Sequence, residues 1–266
     1  MTAGGDRERS GHPDPVPFQH PGARLTAAGQ AAQAAQAAQA PGSPPAAPRW
    51  LTDLAAAAAR MDVAPPLQPP PSGGRPSAVL ILFAEGPSGP DLLFIQRSQG
   101  LRQHPGQPAF PGGSIDPADP SPAAAALREA AEEAGVDPSA VEVLVTLPEL
   151  YISRSGFRVV PVLAWWHSPG PVSAVDPREV AAVERIGVAE LADPACRVTV
   201  RLPGRRVGPG FRVRGLLIWG FTAALVDRLL ALGGWELPWD AAAVHDLPAD
   251  GGPGEVFPGT QDRPIP

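Results

Sequence analysis

Residues 110–136 read FPGGSIDPADPSPAAAALREAAEEAGV, and this stretch decides how the rest of the chain is interpreted. It begins with a glycine turn, continues through a proline-rich loop and ends in an alanine-rich segment that carries three glutamates within five residues. Ser121 followed by Pro122 is a typical helix start, because serine caps free backbone N–H groups and proline suits the first helical position. Gly135 is a typical helix end. The stretch therefore predicts a glycine turn followed by a helix over residues 122–134.

The residues of this helix separate into two faces at about 100° per residue. One face is small and apolar, which predicts close packing against a sheet; it comprises Ala123, Ala124, Leu127, Ala130, Ala131 and Ala134. Glu129, Glu132 and Glu133 lie on the opposite face, within an arc of about 100°. Like charges four residues apart destabilise a helix, and anions are unfavourable near its C-terminal end.

A divalent cation would remove that repulsion, and carboxylate oxygens are the ligands that Mg²⁺ and Mn²⁺ prefer. The pattern therefore favours a metal site that also holds substrate phosphates. A glutamate not fully used as a ligand could take the proton from a metal-bound water. Arg128 could hold a carboxylate or a phosphate with its planar fork. The alternative is a solvated, charged helix face without a metal.

Composition limits the remaining possibilities. The formal net charge of −6 argues against a nucleic-acid binder that works by neutralising phosphates. Cys196 is the sole cysteine, so an internal disulfide is excluded, and we interpret it as an inert thiol. The longest apolar run, residues 215–226, is shorter than the roughly 20 residues that span a bilayer. With no visible signal peptide, these observations predict a soluble, cytoplasmic protein that binds neither nucleic acid nor membrane.

Proline-rich and polar segments divide the chain into four parts. Residues 1–45 are predicted to be a disordered Pro/Ala/Gln-rich tail. Residues 46–76 are predicted to hold a short amphipathic helix and a proline-rich linker. A single folded domain is expected over 77–233. Residues 234–266 contain six acidic residues and one arginine, and we expect this tail to be poorly ordered.

Apolar runs bounded by turn residues predict the strands of the folded domain. These runs are residues 78–83, 92–97, 141–147, 157–166, 198–202 and 211–213. The first two runs are predicted to form one hairpin, and the last two runs a second hairpin. Pro161 suggests an edge strand or a bulge, and residues 180–188 fit either a helix or a strand. Residues 218–232 form an amphipathic helix, whose Trp219, Phe221 and Leu225 we interpret as core. Strands around one early helix and one late helix predict an α+β protein, an α/β/α sandwich.

The central stretch also resembles a known family. The acid at Asp119, the run REAAEEAGV from Arg128 to Val136 and the preceding Gly113 are similar to the Nudix box. That family cleaves nucleoside diphosphates linked to another group and uses divalent metal on the glutamates of the box. Its fold combines a mixed sheet, one catalytic helix and a C-terminal packing helix. Eight residues separate Asp119 from Arg128 here, where seven are usual.

One subgroup, the coenzyme A diphosphatases, shares the additional residue, and this chain resembles it over residues 92–136. The matching positions upstream of the helix are Arg97, Ser98, Leu101, Arg102, His104, Gly106, Gln107, the FPGG run at 110–113 and the DPAD run at 116–119. Residues 176–180 and 218–222 resemble later segments of the same subgroup. Pro108 and Ser114 depart from its pattern, and the loss of a basic residue at 114 would weaken phosphate contacts.

The resemblance implies a set of roles for these positions. Glu129 and Glu133 would be metal ligands for Mg²⁺ or Mn²⁺, and Glu132 would be a third ligand or the general base. Arg128 would orient the glutamates, and Glu179 is a second candidate for the base. Recognition of the coenzyme A part would fall to Arg97, Leu101, Arg102, His104, Gly106, Gln107 and Gly113.

The expected function is therefore metal-dependent hydrolysis of the diphosphate of coenzyme A or its derivatives. The expected products are phosphopantetheine, or its acyl form, and adenosine 3′,5′-bisphosphate. Two alternatives stay open: a hydrolase of another nucleoside diphosphate derivative, and a binding module of the same fold without turnover. The substrate is a small molecule in the first two cases, and a homodimer remains among the candidate assemblies.

Overall fold

A hairpin starts the central sheet. The computed structural model describes residues 45–101, 104–153, 155–202 and 205–247. Within it, β1 (Arg75–Gly86) and β2 (Gly89–Arg97) are antiparallel, and Gly86 lies opposite Gly89 across the turn. Gly89 has a φ of 106°, which glycine adopts without a steric cost. The predicted first hairpin is thus confirmed, with strands longer than the apolar runs that suggested them.

Six further strands complete this sheet. They are β3 (Pro108–Ala109), β4 (Gly112–Ser114), β5 (Val141–Thr146), β6 (Leu150–Ile152), β7 (Phe157–Trp166) and β8 (Val180–Gly187). The main order is β3-β2-β1-β7-β5, with β4 paired to β1, β6 to β7 and β8 to β2. β1 and β7 run parallel, whereas the other pairs are antiparallel, so the sheet is mixed. The ambiguous segment at 180–188 is a strand up to Gly187, and Val188 begins a short helix.

The edge position suggested by Pro161 is wrong, because β7 lies inside the sheet between β1 and β5. Pro161 pairs with Val79 on one side. On the other side its carbonyl accepts a hydrogen bond from Leu147 N at 2.8 Å, at the point where β5 has ended and β6 has not begun. The missing N–H of proline therefore falls at an interruption in the neighbouring strand, where no ladder bond is lost.

Helices cover both faces of the sheet. They are α1 (Arg49–Ala58), α2 (Pro122–Ala134), the short α3 (Val188–Ala192) and α4 (Gly220–Leu232). Alternate residues of β1 point to opposite faces: Leu80 and Leu82 belong to the core beneath α2, whereas Ile81 and Phe83 belong to the core beneath α1 and α4. The predicted α+β class with an α/β/α sandwich is confirmed. No helix in the described ranges is long and apolar enough to cross a membrane.

A second, four-stranded sheet follows the first. Its strands are β9 (Arg197–Leu202), β10 (Arg205–Val213), β11 (Leu216–Ile218) and β12 (Val244–Asp246), in the order β11-β10-β9-β12. The predicted β9–β10 hairpin is confirmed. Ile218 belongs to β11 and pairs with Phe211, so the last helix begins two residues later than predicted, at Gly220.

A buried arginine ties this second sheet to α4. Arg197 is 1% exposed, and its Nη2 donates to Asp227 Oδ1 on α4. Its guanidinium carbon lies 4.6 Å from the ring centroid of Phe211 and 4.7 Å from that of Trp239. The pairing and the two aromatic rings compensate for part of the cost of burying the charge. The middle of α4 is thereby fixed against the second sheet.

Residues on both sides of the predicted domain belong to its core. Leu51 and Leu54 of α1 are buried in the same cluster as Phe83. β12 pairs in parallel with β9, so the expected lack of order from residue 234 onward is wrong for 235–247. Trp235 in this segment packs against Trp50 and Phe83, which are distant in sequence, so the composition of the tail alone does not predict the contact. Residues 1–44 and 248–266, which hold most of the two predicted tails, lie outside the described residues.

Trp235 offers a test of this packing. Its ring centroid lies 5.4 Å from that of Trp50 and 6.3 Å from that of Phe83, so it joins the last described segment to α1 and β1. We expect Trp235→Ala to lower the free energy of unfolding by about 2 kcal/mol, because a large ring is removed from a partly buried cluster. Urea unfolding measures the change. Val175→Ala, at a side chain that is 57% exposed, serves as the neutral control, and equal effects of the two changes would contradict the packing.

Candidate active site

The glutamate helix begins and ends as predicted. Ser121 Oγ accepts a hydrogen bond from Ala124 N at 3.2 Å, and Gly135 ends the helix with a φ of 70°. The helix buries Ala125, Ala126, Ala130 and Ala134 against the sheet. The predicted apolar face is therefore right for Ala130 and Ala134 and wrong in omitting Ala125 and Ala126. The other predicted members of that face are only partly buried: Ala123, Ala124, Leu127 and Ala131. The predicted polar face is wrong at one position, because Glu133 is also buried, with 8% of its surface exposed. The helix lies with its Glu133 edge against β4, and an isolated helix gives no sign of that neighbour.

The backbone of β4 holds Glu133 in place. Gly112 N donates a hydrogen bond to Glu133 Oε2 at 2.9 Å. The pKa of Glu133 is raised to about 7, mainly by burial. The Gly112 hydrogen bond and Arg97 lower this pKa, whereas the charges of Glu129 and Glu179 raise it. A carboxylate so desolvated and surrounded by like charge is in a suitable environment for a cation.

Glu129 lies one helical turn before Glu133. Its carboxylate lies against Gly113, the residue that follows Gly112 in the glycine turn. A Cβ added to Gly113 would lie 2.5–2.7 Å from the three atoms of the Glu129 carboxylate, so only glycine leaves room there. Burial raises the pKa of Glu129, and the nearby Glu132 and Asp116 act in the same direction, whereas Arg128 lowers it. Glu129 and Glu133 thus share one side of the Gly112–Gly113 turn.

Arg128 connects the helix to the loop that precedes it. Its Nη1 donates to Glu129 Oε1 at 3.0 Å and to Glu132 Oε2 at 3.1 Å. Its Nη2 donates to the Ser114 carbonyl at 3.1 Å and to Asp119 Oδ2 at 3.0 Å, and Nε donates to Asp119 Oδ1 at 3.2 Å. The Arg128 hydrogen bonds hold the pKa of Asp119 below its usual value. Asp119, predicted only as the first acid of the box, therefore anchors Arg128.

Glu132 is placed differently from the other two glutamates. Its side chain is 59% exposed and contacts Arg128. Within the described ranges no three acidic, histidine or cysteine side chains are gathered closely enough to hold a metal. The arrangement still suits a hard cation in its chemistry, because Glu129 and Glu133 offer desolvated carboxylate oxygens beside backbone carbonyls of a glycine turn. A cation bound there would offset the like-charge repulsion that raises both pKa values.

A cavity of about 300 Å³ opens on the other side of the Gly112–Gly113 turn. Four residues of the predicted recognition set line it: Arg97, His104, Gln107 and Gly113. The three glutamates do not line it, so the glycine turn separates the carboxylates from the cavity while its backbone contacts both. A substrate lying across this turn would have one part beside the glutamates and another part in the cavity.

The loop over residues 98–107 is shaped by two residues with positive φ. His104 has a φ of 54° and Gly106 of 69°, and His104 Nδ1 lies 2.9 Å from Gln107 Oε1. The Gln107 carbonyl accepts from Arg97 N at 3.1 Å. These bonds position His104 and Gln107 at the cavity. Leu101 N donates to the Ser98 carbonyl at 3.3 Å, away from the lining residues, and Arg102 lies outside the described residues.

Glu179, the second candidate for the base, lies in an exposed loop before β8. Its carbonyl accepts a hydrogen bond from Ser98 N at 2.8 Å, which ties this loop to the end of β2. Its charge contributes to the raised pKa of Glu133, so it is close enough to sense the carboxylate site.

Sequence reasoning missed the walls of the cavity. Ser77 and Val79 of β1 and Phe157 and Val159 of β7 line it, and their spacing of two along adjacent strands was a usable signal. Trp219 and Phe221 were interpreted as core packing, and both do pack in apolar clusters. Both also line the cavity at the start of α4, which sequence reasoning did not predict. An amphipathic helix pattern cannot show which end of its apolar face borders an opening.

Gly113→Ala tests the contact between the turn and Glu129. The added methyl group would displace the Glu129 carboxylate, while the backbone needs no special conformation, so we expect at least a tenfold loss of hydrolytic activity with the fold retained. Circular dichroism and a thermal melt check the fold, and initial rates check activity. Gly170→Ala is the matched control, because a Cβ at Gly170 meets nothing within 4 Å. Full activity of Gly113→Ala would contradict the placement.

Comparisons with known proteins find related sequences. The NUDIX domain family matches residues 74–201. The chain is 40% identical over 160 residues to the uncharacterized Nudix hydrolase NudL of Escherichia coli O7:K1 (strain IAI39 / ExPEC), covering 58% of this chain and 81% of that protein. It is 38% identical over 172 residues to NudL of Shigella flexneri, covering 62% and 86%.

Solved structures match this chain at lower similarity. The Nudix hydrolase RenU from M. smegmatis matches with a TM-score of 0.44 and 22% identity, over 64% of this chain and 91% of that one. The NUDIX domain of Shewanella oneidensis NrtR, solved with ADP ribose, matches with a TM-score of 0.36 and 25% identity, over 44% of this chain and 75% of that one.

Proposed function

Because the chain belongs to the Nudix hydrolase family, whose members cleave nucleoside diphosphate derivatives, we propose that its substrate is coenzyme A or a coenzyme A derivative. The observation that carries this proposal is the position of the loop over residues 98–107. The loop brings His104 and Gln107 to the cavity beside Gly113, together with Arg97 at the end of β2. These are residues through which the chain resembles the coenzyme A diphosphatases.

The proposed reaction is a hydrolysis. A water oxygen attacks one phosphorus of the diphosphate, the bond from that phosphorus to the bridging oxygen breaks, and the water loses a proton. The products are phosphopantetheine, or its acyl form, and adenosine 3′,5′-bisphosphate. No redox partner is required, because only a phosphoanhydride bond is exchanged for a bond to water.

Divalent metal is general in this family, and we assign Mg²⁺ or Mn²⁺ to Glu129 and Glu133. Glu132 would become a further ligand only by leaving its contact with Arg128. A bound cation would neutralise charge on the diphosphate and make a water more acidic. The support from this chain is the pair of desolvated carboxylates. Their pKa values are raised by burial and, to a smaller extent, by the charges of neighbouring acidic side chains. Arg128 fixes the orientation of Glu129, and Gly112 N fixes that of Glu133.

Two residues are candidates for accepting the proton. Glu132 is exposed and its carboxylate accepts a hydrogen bond from Arg128 at the edge of the site. Glu179 lies in the loop before β8 and influences the charge state of Glu133. We favour Glu132 or Glu179 over Glu133 for this step, because Gly112 N occupies one oxygen of Glu133. Comparing Glu132→Gln with Glu179→Gln identifies the base, since its loss flattens the acidic limb of the pH–rate profile.

The substrate assignment is tested with the full chain and purified nucleotides. We expect adenosine 3′,5′-bisphosphate to accumulate from coenzyme A in the presence of Mg²⁺ or Mn²⁺ and not with EDTA, measured by liquid chromatography. An NDP-sugar tested in parallel should turn over at least tenfold more slowly. Preferred turnover of the NDP-sugar would reject coenzyme A as the substrate. Tight coenzyme A binding without cleavage after metal addition would instead favour a binding module.

A further inference from the structure

Two polar side chains that line the cavity beside the glycine turn have donor atoms without a hydrogen bond in the described part of the chain. Arg97 Nε is buried there without a hydrogen-bond partner among the described residues. Thr222 is 8% exposed and lines the same cavity, and none of the described hydrogen bonds involves its hydroxyl. Because a buried donor is normally paired, Arg97 Nε indicates a ligand that accepts hydrogen bonds, and the Thr222 hydroxyl offers that ligand a second donor.

The start of α4 faces the same space. Trp219 occupies the N-cap position and makes no side-chain capping bond, and Gly220 and Thr222 line the cavity. The first backbone N–H groups of a helix have no acceptor within it, and this end of a thirteen-residue helix carries partial positive charge. No aspartate or glutamate occurs among the described residues that line the cavity, whereas Arg97 does. The charge and the donors together favour an anion.

The remaining lining is apolar and partly aromatic. Phe157, Val159 and Trp219 provide surfaces for a flat ring, and the Arg75 guanidinium carbon lies 4.0 Å from the centroid of Phe157. A volume of about 300 Å³ lies at the lower end of the range for ligand pockets, about 300–1,000 Å³. The cavity therefore holds one half of a coenzyme A molecule rather than the whole.

We propose that this cavity binds the adenosine 3′-phosphate half of the substrate, with the 3′-phosphate at Thr222, the start of α4 and Arg97. The identity of the substrate rests on the proposed function; the cavity itself calls for a ring and a phosphate. The diphosphate then lies across the Gly112–Gly113 turn toward the glutamates, and the pantetheine arm extends away from the cavity. Thr222 becomes the residue that distinguishes nucleotides with a 3′-phosphate from those without one.

Calorimetric titration of the metal-free full chain tests the assignment without relying on turnover. The probes are adenosine 3′,5′-bisphosphate, 5′-AMP and 4′-phosphopantetheine. We expect the bisphosphate to bind about tenfold to a hundredfold more tightly than 5′-AMP, the size of one or two hydrogen bonds to a charged group. Thr222→Val keeps the shape of the side chain and removes the donor, so it should reduce this preference several-fold.

Thr146→Val makes the same chemical change on an exposed residue of β5 and should leave the preference intact. Equal affinities for bisphosphate and 5′-AMP, or no binding of either, would overturn the subsite. So would a loss of phosphopantetheine binding in Thr222→Val, because the other half of the substrate would then occupy the cavity. A bisphosphate preference in a protein that does not cleave coenzyme A would leave the subsite standing and reject the proposed function.

Discussion

Glu133→Gln is expected to abolish most of the hydrolytic activity and, at the same time, to stabilise the metal-free protein above neutral pH. Activity should fall at least about 10²-fold, the size expected when a group that stabilises transition-state charge is lost. Glutamine is nearly the same shape and can still accept the hydrogen bond from Gly112 N, so the helix should stay in place. The variant thus removes charge rather than structure.

The gain in stability follows from the pKa of Glu133, which burial raises from 4.5 to about 7. The folded state binds the proton more tightly than the unfolded state, so this group contributes stability that is fully present below pH 4.5. That contribution is lost as the pH rises through about 7, because ionisation leaves a buried charge. The loss amounts to about 3 kcal/mol at most, at 1.36 kcal/mol for each pKa unit. Glutamine carries no charge and avoids it.

Thermal melts in EDTA between pH 4.5 and 8.5 measure this difference. The wild-type protein and the variant should have similar melting temperatures at the acidic end and diverge as the pH rises, with the variant higher. Adding Mg²⁺ at pH 8 should raise the melting temperature of the wild-type protein and leave the variant nearly unchanged. Glu142→Gln, the same change at an exposed position of β5, is the control for activity and stability. Parallel pH curves for wild type and Glu133→Gln would contradict the burial of this carboxylate.

The unfavourable placement of the glutamates in the metal-free helix is also the reason why this part of the site could be predicted from the sequence. Three glutamates on a helix end were recognisable because they conflict with the local helix rules, and a ligand is the simplest way to relieve such a conflict. The capping residues Ser121 and Gly135 were predictable for the same reason, since their roles depend on neighbours within a few residues. The glutamate cluster and the two helix caps depend only on residues close together in the chain, so the sequence alone is enough to predict them.

The features that were missed depend on long-range pairing. Glu133 is buried because β4 pairs with β1, and nothing within the helix signals that neighbour. Pro161 is tolerated inside the sheet because the partner strand is interrupted there, a fact set by residues 147–150. Trp219 and Phe221 are apolar in either interpretation, and only the position of α4 over the strands makes them a cavity wall. Sequence periodicity gives the face of an element and leaves open what that face meets.

Replacement of Arg128 is expected to have the second-largest effect on activity. Its guanidinium donates to Asp119, Glu129, Glu132 and the Ser114 carbonyl at once, so one planar group sets the positions of two glutamates and of the loop. We expect Arg128→Lys to lower kcat/KM about 10²-fold. An ammonium group cannot reproduce the planar fork, and misplacing a catalytic group by about 1 Å costs a factor of that size. Arg201→Lys, in the exposed two-bond pair with Asp246, is the matched control and should be nearly neutral.

A double-mutant cycle with Asp119→Asn separates positioning from a merely structural role. Asp119 contacts Arg128 through both oxygens, at 3.2 and 3.0 Å, so we assign it the task of holding the guanidinium. If it works only through Arg128, then Asp119→Asn should lower kcat/KM in the wild-type background and have little further effect in Arg128→Lys. The melting temperatures of the four proteins should differ far less than their rates, because the network lies at the surface of the helix. Additive losses in kcat/KM would mean that Asp119 acts on the substrate or the metal independently of Arg128.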